Sequence, residues 1–146
     1  MEKKKDPELR YVLTLTEDQA RTAARACELY CRLLLGQLDE LNHELLLRET
    51  RDDISGRREA AMTLLLHLKK LYFPDLHGHG HSYGVGHDIT AERSWSVYQA
   101  LRHCMAWHEH PEGGIGVSFD PPMSYNDEPL PQCEASHMKE RTATND

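Results

Sequence analysis

Ten of the 146 residues are histidine, and four of them fall in one short run, Leu76-His77-Gly78-His79-Gly80-His81-Ser82-Tyr83-Gly84-Val85-Gly86-His87. Neutral imidazole is a preferred ligand for zinc, nickel or copper, and glycines let a short loop fold around an ion. His77, His79, His81 and His87 are therefore the candidate metal ligands, with His103 or His108 from a neighbouring helix as a further donor. The His-x-His-x-His spacing also chelates a divalent ion adventitiously, and no other cofactor is expected. The competing reading is a solvated loop of small polar residues. No HExxH, paired CxxC or ordered His/Asp array favours the metal.

A second group lies twelve or so positions further on. Trp95, Tyr98, Gln99, Arg102, His103 and Trp107 share one helical segment, and Tyr83 precedes it in the glycine-rich run. Aromatic rings, a guanidinium and an imidazole together can clamp a flat anionic ligand such as a nucleotide, by stacking and by charge-assisted hydrogen bonds. These seven are the candidate ligand-binding residues. The alternative is structural: Trp95 and Tyr98 fill the core while Arg102 caps carboxylates. No catalytic residue is nominated. Ser82, Ser94, Ser96 and Ser118 lack a GxSxG context, and Gly78, Gly80, Gly84 and Gly86 neither follow a strand nor lead into a Gly-Lys-Ser/Thr sequence.

The elements that must position these groups are mostly helical. Tyr11-Val12-Leu13-Thr14-Leu15 alternates like a short strand, and Thr16-Glu17-Asp18-Gln19 has the form of a capping box. A 3.6-residue apolar stripe then runs from Ala20 to Leu45. Gly36 lies inside it without shifting the phase, so a kink or close approach is expected there, within one long helix or two nearly collinear ones. Arg48 to Gly56 reads as a charged loop. Arg57 to Tyr72 is the next helix, with Ala61, Leu64, Leu65, Leu68 and Leu71 on one face and Pro74 beyond its end. Asp75 to Asp88 is a long loop, and a third helical pattern runs from Thr90 or Ala91 to Trp107. Ile115 to Phe119 alternates again. The expected fold is mainly α: an antiparallel helical core of three to four helices, with a small two-stranded β element joining Tyr11–Leu15 to Ile115–Phe119. Residues 11–133 form the single domain, between a disordered N-terminus (1–10) and a disordered tail (134–146).

Composition narrows the functions. A chain of this length buries roughly 68–70% of its unfolded surface, so metal or disulfide support is not required. With 17 Lys+Arg against 24 Asp+Glu the net charge is −7, which argues against direct nucleic-acid binding. No run approaches the apolar length of a membrane span, and Met1-Glu2-Lys3-Lys4-Lys5-Asp6 lacks the apolar stretch of a signal peptide. Cys27, Cys31, Cys104 and Cys133 are accordingly read as thiols in a cytoplasmic protein.

Several segments also carry a resemblance. Leu13 to Ala20, Gly36-Gln37-Leu38, Ser82-Tyr83-Gly84-Val85, Trp95 to His103, Ala106-Trp107, Gly113 to Met123 and Glu128-Pro129-Leu130 together resemble a group of small, uncharacterised proteins of tailed bacteriophages and prophages. The resemblance spans roughly residues 11–131 and implies a context rather than an activity: an accessory protein in the host bacterial cytoplasm. The extra histidines of Gly78–Gly80 depart from the pattern, which moves weight toward Tyr83 and the third helix. In that context the first functional expectation is an anti-defence protein that sequesters a nucleotide-type host immune signal. An alternative is an inhibitor that docks on a host protein through an acidic helical surface. A second alternative is a metal-dependent hydrolase built on the His-rich loop. Wide helical stripes can also bury against a second copy, giving a homo-oligomer.

Overall fold

Thr16 starts the first helix as the sequence requires. Its amide donates to Gln19 Oε1 at 2.9 Å and its hydroxyl accepts the Gln19 amide, closing a reciprocal capping box. The computed structural model describes residues 9–46 and 54–137. They form four helices, α1 (Glu17–Leu34), α2 (Glu40–Leu46), α3 (Ile54–Tyr72) and α4 (Ile89–Glu109), with one 3-10 turn at Val85–His87 before α4. The chain is mainly helical, and no helix among the described residues is long and apolar enough to cross a membrane.

The core is the packing of α1 on α4. Small side chains let the two backbones approach: Ala24, Cys31, Ala91 and Ala100 are buried, and the Ser94 hydroxyl reaches the Cys27 carbonyl at 2.8 Å. The pair is antiparallel, because Arg21 near the start of α1 bonds Glu109 at the end of α4, while Cys31 and Leu35 cluster with Ala91 at the other end. Asp88 opens α4 by accepting the Ala91 amide at 2.8 Å.

Gly36 breaks the stripe rather than bending it. Its φ of +87° is a left-handed turn, and a Cβ built there would lie 2.5 Å from Leu76 Cδ1. α2 therefore folds back beside α1 instead of continuing it. Arg25 of α1 reaches Glu44 at 2.6 Å and Glu40 at 3.4 Å, and Arg32 bonds Glu28 at 2.9 Å. The expectation of a single or collinear helix is corrected by these contacts.

α3 also departs from expectation. Leu65 and Lys69 are buried, but Leu64 (63% exposed), Leu68 and Leu71 (78%) face outward. The helix has apolar residues on two sides, so a single sequence stripe could not tell which side faces inward.

The expected β element is absent among the described residues. Tyr11, Val12 and Leu13 form no strand and are exposed. The 115–119 segment turns instead. Gly113 and Gly116 take positive φ, the Phe119 amide donates to the Gly116 carbonyl at 3.1 Å, and α4 side chains occupy the carbonyls a ladder would need. Most of the expected disordered ends, and most of the Arg48–Gly56 loop, lie outside the described residues; Ser55 and Gly56 belong to α3.

Candidate functional site

α4 gathers six of the seven expected ligand residues, and four of them, Gln99, Arg102, His103 and Trp107, bond this chain's own backbone. Buried Gln99 holds Met123 at both ends of its peptide: Nε2 donates to the Met123 carbonyl and Oε1 accepts the Met123 amide, each at 3.1 Å. His103 Nδ1 donates to the Ser118 carbonyl at 3.1 Å, and Trp107 Nε1 to the Phe119 carbonyl at 3.2 Å. Arg102 reaches the Val117 carbonyl at 3.5 Å. One face of α4 is thus a row of side chains holding the 117–123 segment through its main chain.

The aromatic rings follow the same division. Trp95 packs against the Cys31–Leu35–Ala91 core and stacks obliquely on Tyr98, with centroids 4.9 Å apart. The Arg102 guanidinium lies 4.8 Å from the Tyr98 ring centroid, a cation–π contact. Arg102 Nε is buried without a hydrogen-bond partner among the described residues, and no carboxylate meets this side chain there, contrary to the capping role considered for it. Trp107 meets Phe119 edge to face at 5.6 Å. Gly113 and Gly114 make room for both rings, since a Cβ at Gly114 would lie 2.5 Å from Phe119.

Tyr83 stands apart from that row, although it packs against the same core cluster as Trp95. Its amide donates to the Leu35 carbonyl at 3.0 Å, and its ring stacks on His87 at 3.8 Å and meets Phe73 at 6.3 Å. It pins the His-rich loop to the ends of α1 and α3.

The loop's histidines do not converge. Among the described residues no group of three or more His, Cys, Asp or Glu side chains is arranged to hold a metal ion. His79 and His81 instead give their carbonyls to the Lys69 ammonium, which is 1% exposed; the His79 contact is 3.2 Å. Burial lowers the Lys69 pKa from its ordinary 10.5, opposed by Asp39. A cation bound to this loop would therefore meet a positive charge already seated beneath it. His77 is exposed, and His87 is occupied with Tyr83.

Beyond Phe119 the chain follows α4 closely. It runs down the helix from Trp107 to Gln99, then to Glu92, which accepts Asn126 Nδ2 at 2.7 Å, and Arg93, which pairs with Glu128 at 2.9 Å. It then turns back, bringing the His137 ring to 6.0 Å from His108. Sequence reasoning missed this strap, together with Lys69 and Gln99–Met123. The periodicity Met62, Leu65, Lys69 could have exposed Lys69 as a buried position. Nothing in residue type marks a glutamine that reads backbone. Two shallow surface depressions among the described residues lie away from this row, one of 370 Å³ along α1 at Asp18, Thr22 and Ala26, and one of 160 Å³ at Asp39, Asn42 and Met62.

No protein-family model matches this chain, and comparison with curated proteins and with solved structures gives no match either. Fold and site therefore stand on the geometry alone.

Proposed function

We propose that this protein acts by binding rather than turnover, and that its ligand is a protein surface engaged along α3. The observation that carries this reading is the open seam of Leu64, Leu68 and Leu71, continued by Tyr72, on a helix that buries Leu65 and Lys69 on the adjoining face. Leu64, Leu68 and Leu71 follow the four-and-three spacing by which one helix packs against another. The acidic residues of α1 and α2 are poorer contacts, because Glu28, Glu40 and Glu44 are already paired with Arg25 and Arg32. In the phage setting implied by the resemblance, the partner is a host protein in the bacterial cytoplasm.

Immobilised wild-type protein should retain a bacterial protein that a Leu64→Glu/Leu71→Glu variant releases, while Trp107→Ala retains it. Equal retention by both variants overturns the reading. Sequestration of a nucleotide-type signal is the second reading, favoured by the unpaired Arg102 Nε beside the Tyr98 ring. It requires a rise in melting temperature with cyclic nucleotides or ADP-ribose derivatives that Arg102→Ala abolishes.

A further inference from the structure

The 113–119 segment is an anchored turn whose leading apolar side chains are left in solvent. Gly113 and Gly116 supply the positive φ that the turn needs, at +87° and +123°. The Gly113 amide donates to the His110 carbonyl at 2.8 Å, the Phe119 amide donates to the Gly116 carbonyl at 3.1 Å, and the Phe119 ring lies against Gly114. α4 grips the following residues through His103 at Ser118 and Trp107 at Phe119. Between the two positive-φ glycines Ile115 is wholly exposed, and Val117 (64%) and Met123 (61%) follow it on the same anchored stretch.

One exposed apolar residue is ordinary on a protein surface, but three on one anchored stretch make a patch. A turn already held in one conformation loses little entropy when a partner closes over it, so the apolar area it offers is realised as affinity. The charges beside the apex are acidic. Glu112 and Asp120 are exposed on either side of it in the chain, and Glu112 meets the His110 ring at 3.5 Å. Arg21, at this end of the α1–α4 pair, is shared between Glu17 and Glu109, and Arg102 is turned inward onto the Tyr98 ring. An anionic lipid surface repels these carboxylates, whereas a protein cleft bordered by Lys or Arg attracts them.

We propose that the 113–117 turn is an apolar knob that docks, through Ile115 and Val117, into an apolar cleft of a protein partner bordered by basic side chains. Ile115 fills the cleft, Val117 covers its edge, and Glu112 and Asp120 pair with the bordering cations. α3 joins the α1–α4 pair at the other end, where Phe73 meets the Tyr83 ring and the Tyr83 amide bonds Leu35. Docking at the knob is therefore independent of the α3 seam, and one chain can hold two proteins at once.

The test places a photoreactive diazirine amino acid at position 117 of the full chain, irradiates it in bacterial cells and maps the linked peptides by mass spectrometry. The expected adduct lies on one protein, in an apolar cleft bordered by Lys or Arg, and forms equally in a Leu64→Glu/Leu71→Glu background. With that protein purified, Ile115→Asp should weaken binding by about tenfold or more, and Ile115→Leu should bind like the wild type. Glu112→Lys/Asp120→Lys should weaken binding by about tenfold at low salt and by much less at high salt. These side chains are exposed, so the variants should melt like the wild type. Absence of an adduct overturns the proposal, as do adducts spread over many proteins, confined to copies of this chain, or in a cleft without Lys or Arg. So does unchanged affinity of Ile115→Asp, or binding of the wild type to phosphatidylserine–phosphatidylcholine vesicles that Ile115→Asp loses.

Discussion

Gln99 makes two hydrogen bonds to the Met123 backbone from a position 5% exposed. Truncation would leave an amide and a carbonyl unpaired beside α4, so Gln99→Ala should cost about 1–3 kcal/mol in chemical denaturation and speed hydrogen exchange at Met123. Gln99→Glu keeps the acceptor for the Met123 amide but sets a carboxylate against the carbonyl, and should not restore stability. Cys31 supplies a pH signature. Burial pushes its thiol up to about 11, while an unfolded thiol ionises near the ordinary 9.0. The unfolded chain therefore loses a proton that the folded chain keeps, and stability must fall as pH rises from 9 toward 11. The share owed to this residue is roughly 2–3 kcal/mol. Urea midpoints across that window should decline less steeply in Cys31→Ala than in the wild type.

At the scale of elements, α3 and the Gly36 turn make opposite demands. Gly36→Ala places a Cβ against Leu76 in a backbone conformation that favours glycine, and should destabilise by about 1–3 kcal/mol. On α3, Leu65→Ala opens a cavity on the buried side and should cost about 2–5 kcal/mol, whereas Leu68→Glu on the open seam should stay within about 0.5 kcal/mol of wild type in a dilute monomer. Thermal or urea melts of the pair distinguish the two faces directly. The sequence made α3 legible as a helix but not its orientation, because its leucines populate two sides and only the tertiary contacts choose between them. α4 was legible with both boundaries nearly right from its aromatic periodicity, and α1 was legible at its start, where Thr16 caps it. The turn after Leu34 was not, because Gly36 keeps the phase of the stripe while reversing the chain.

Across the whole molecule, the antiparallel α1–α4 pair is the frame, α2 and α3 are added at one end, and the C-terminal strap doubles along α4. The α4 residues were legible as an unusual concentration of aromatic, guanidinium and imidazole groups. Their commitment to the strap was not, because it depends on backbone carbonyls contributed by a segment that alternates like a strand. The same carbonyls, taken by His103 and Trp107, explain why no ladder forms at Ile115–Phe119. The surface on which the proposed function rests is the exposed seam of Leu64, Leu68 and Leu71 on α3. The direct measurement is a photo-crosslink from a benzophenone amino acid placed at position 68 in the intact chain, irradiated in the bacterial cytoplasm and resolved by mass spectrometry. The expected result is an adduct to one bacterial protein, lost when Leu64 and Leu71 are both changed to glutamate. Adducts only between copies of this chain, or adducts unaffected by those substitutions, contradict it.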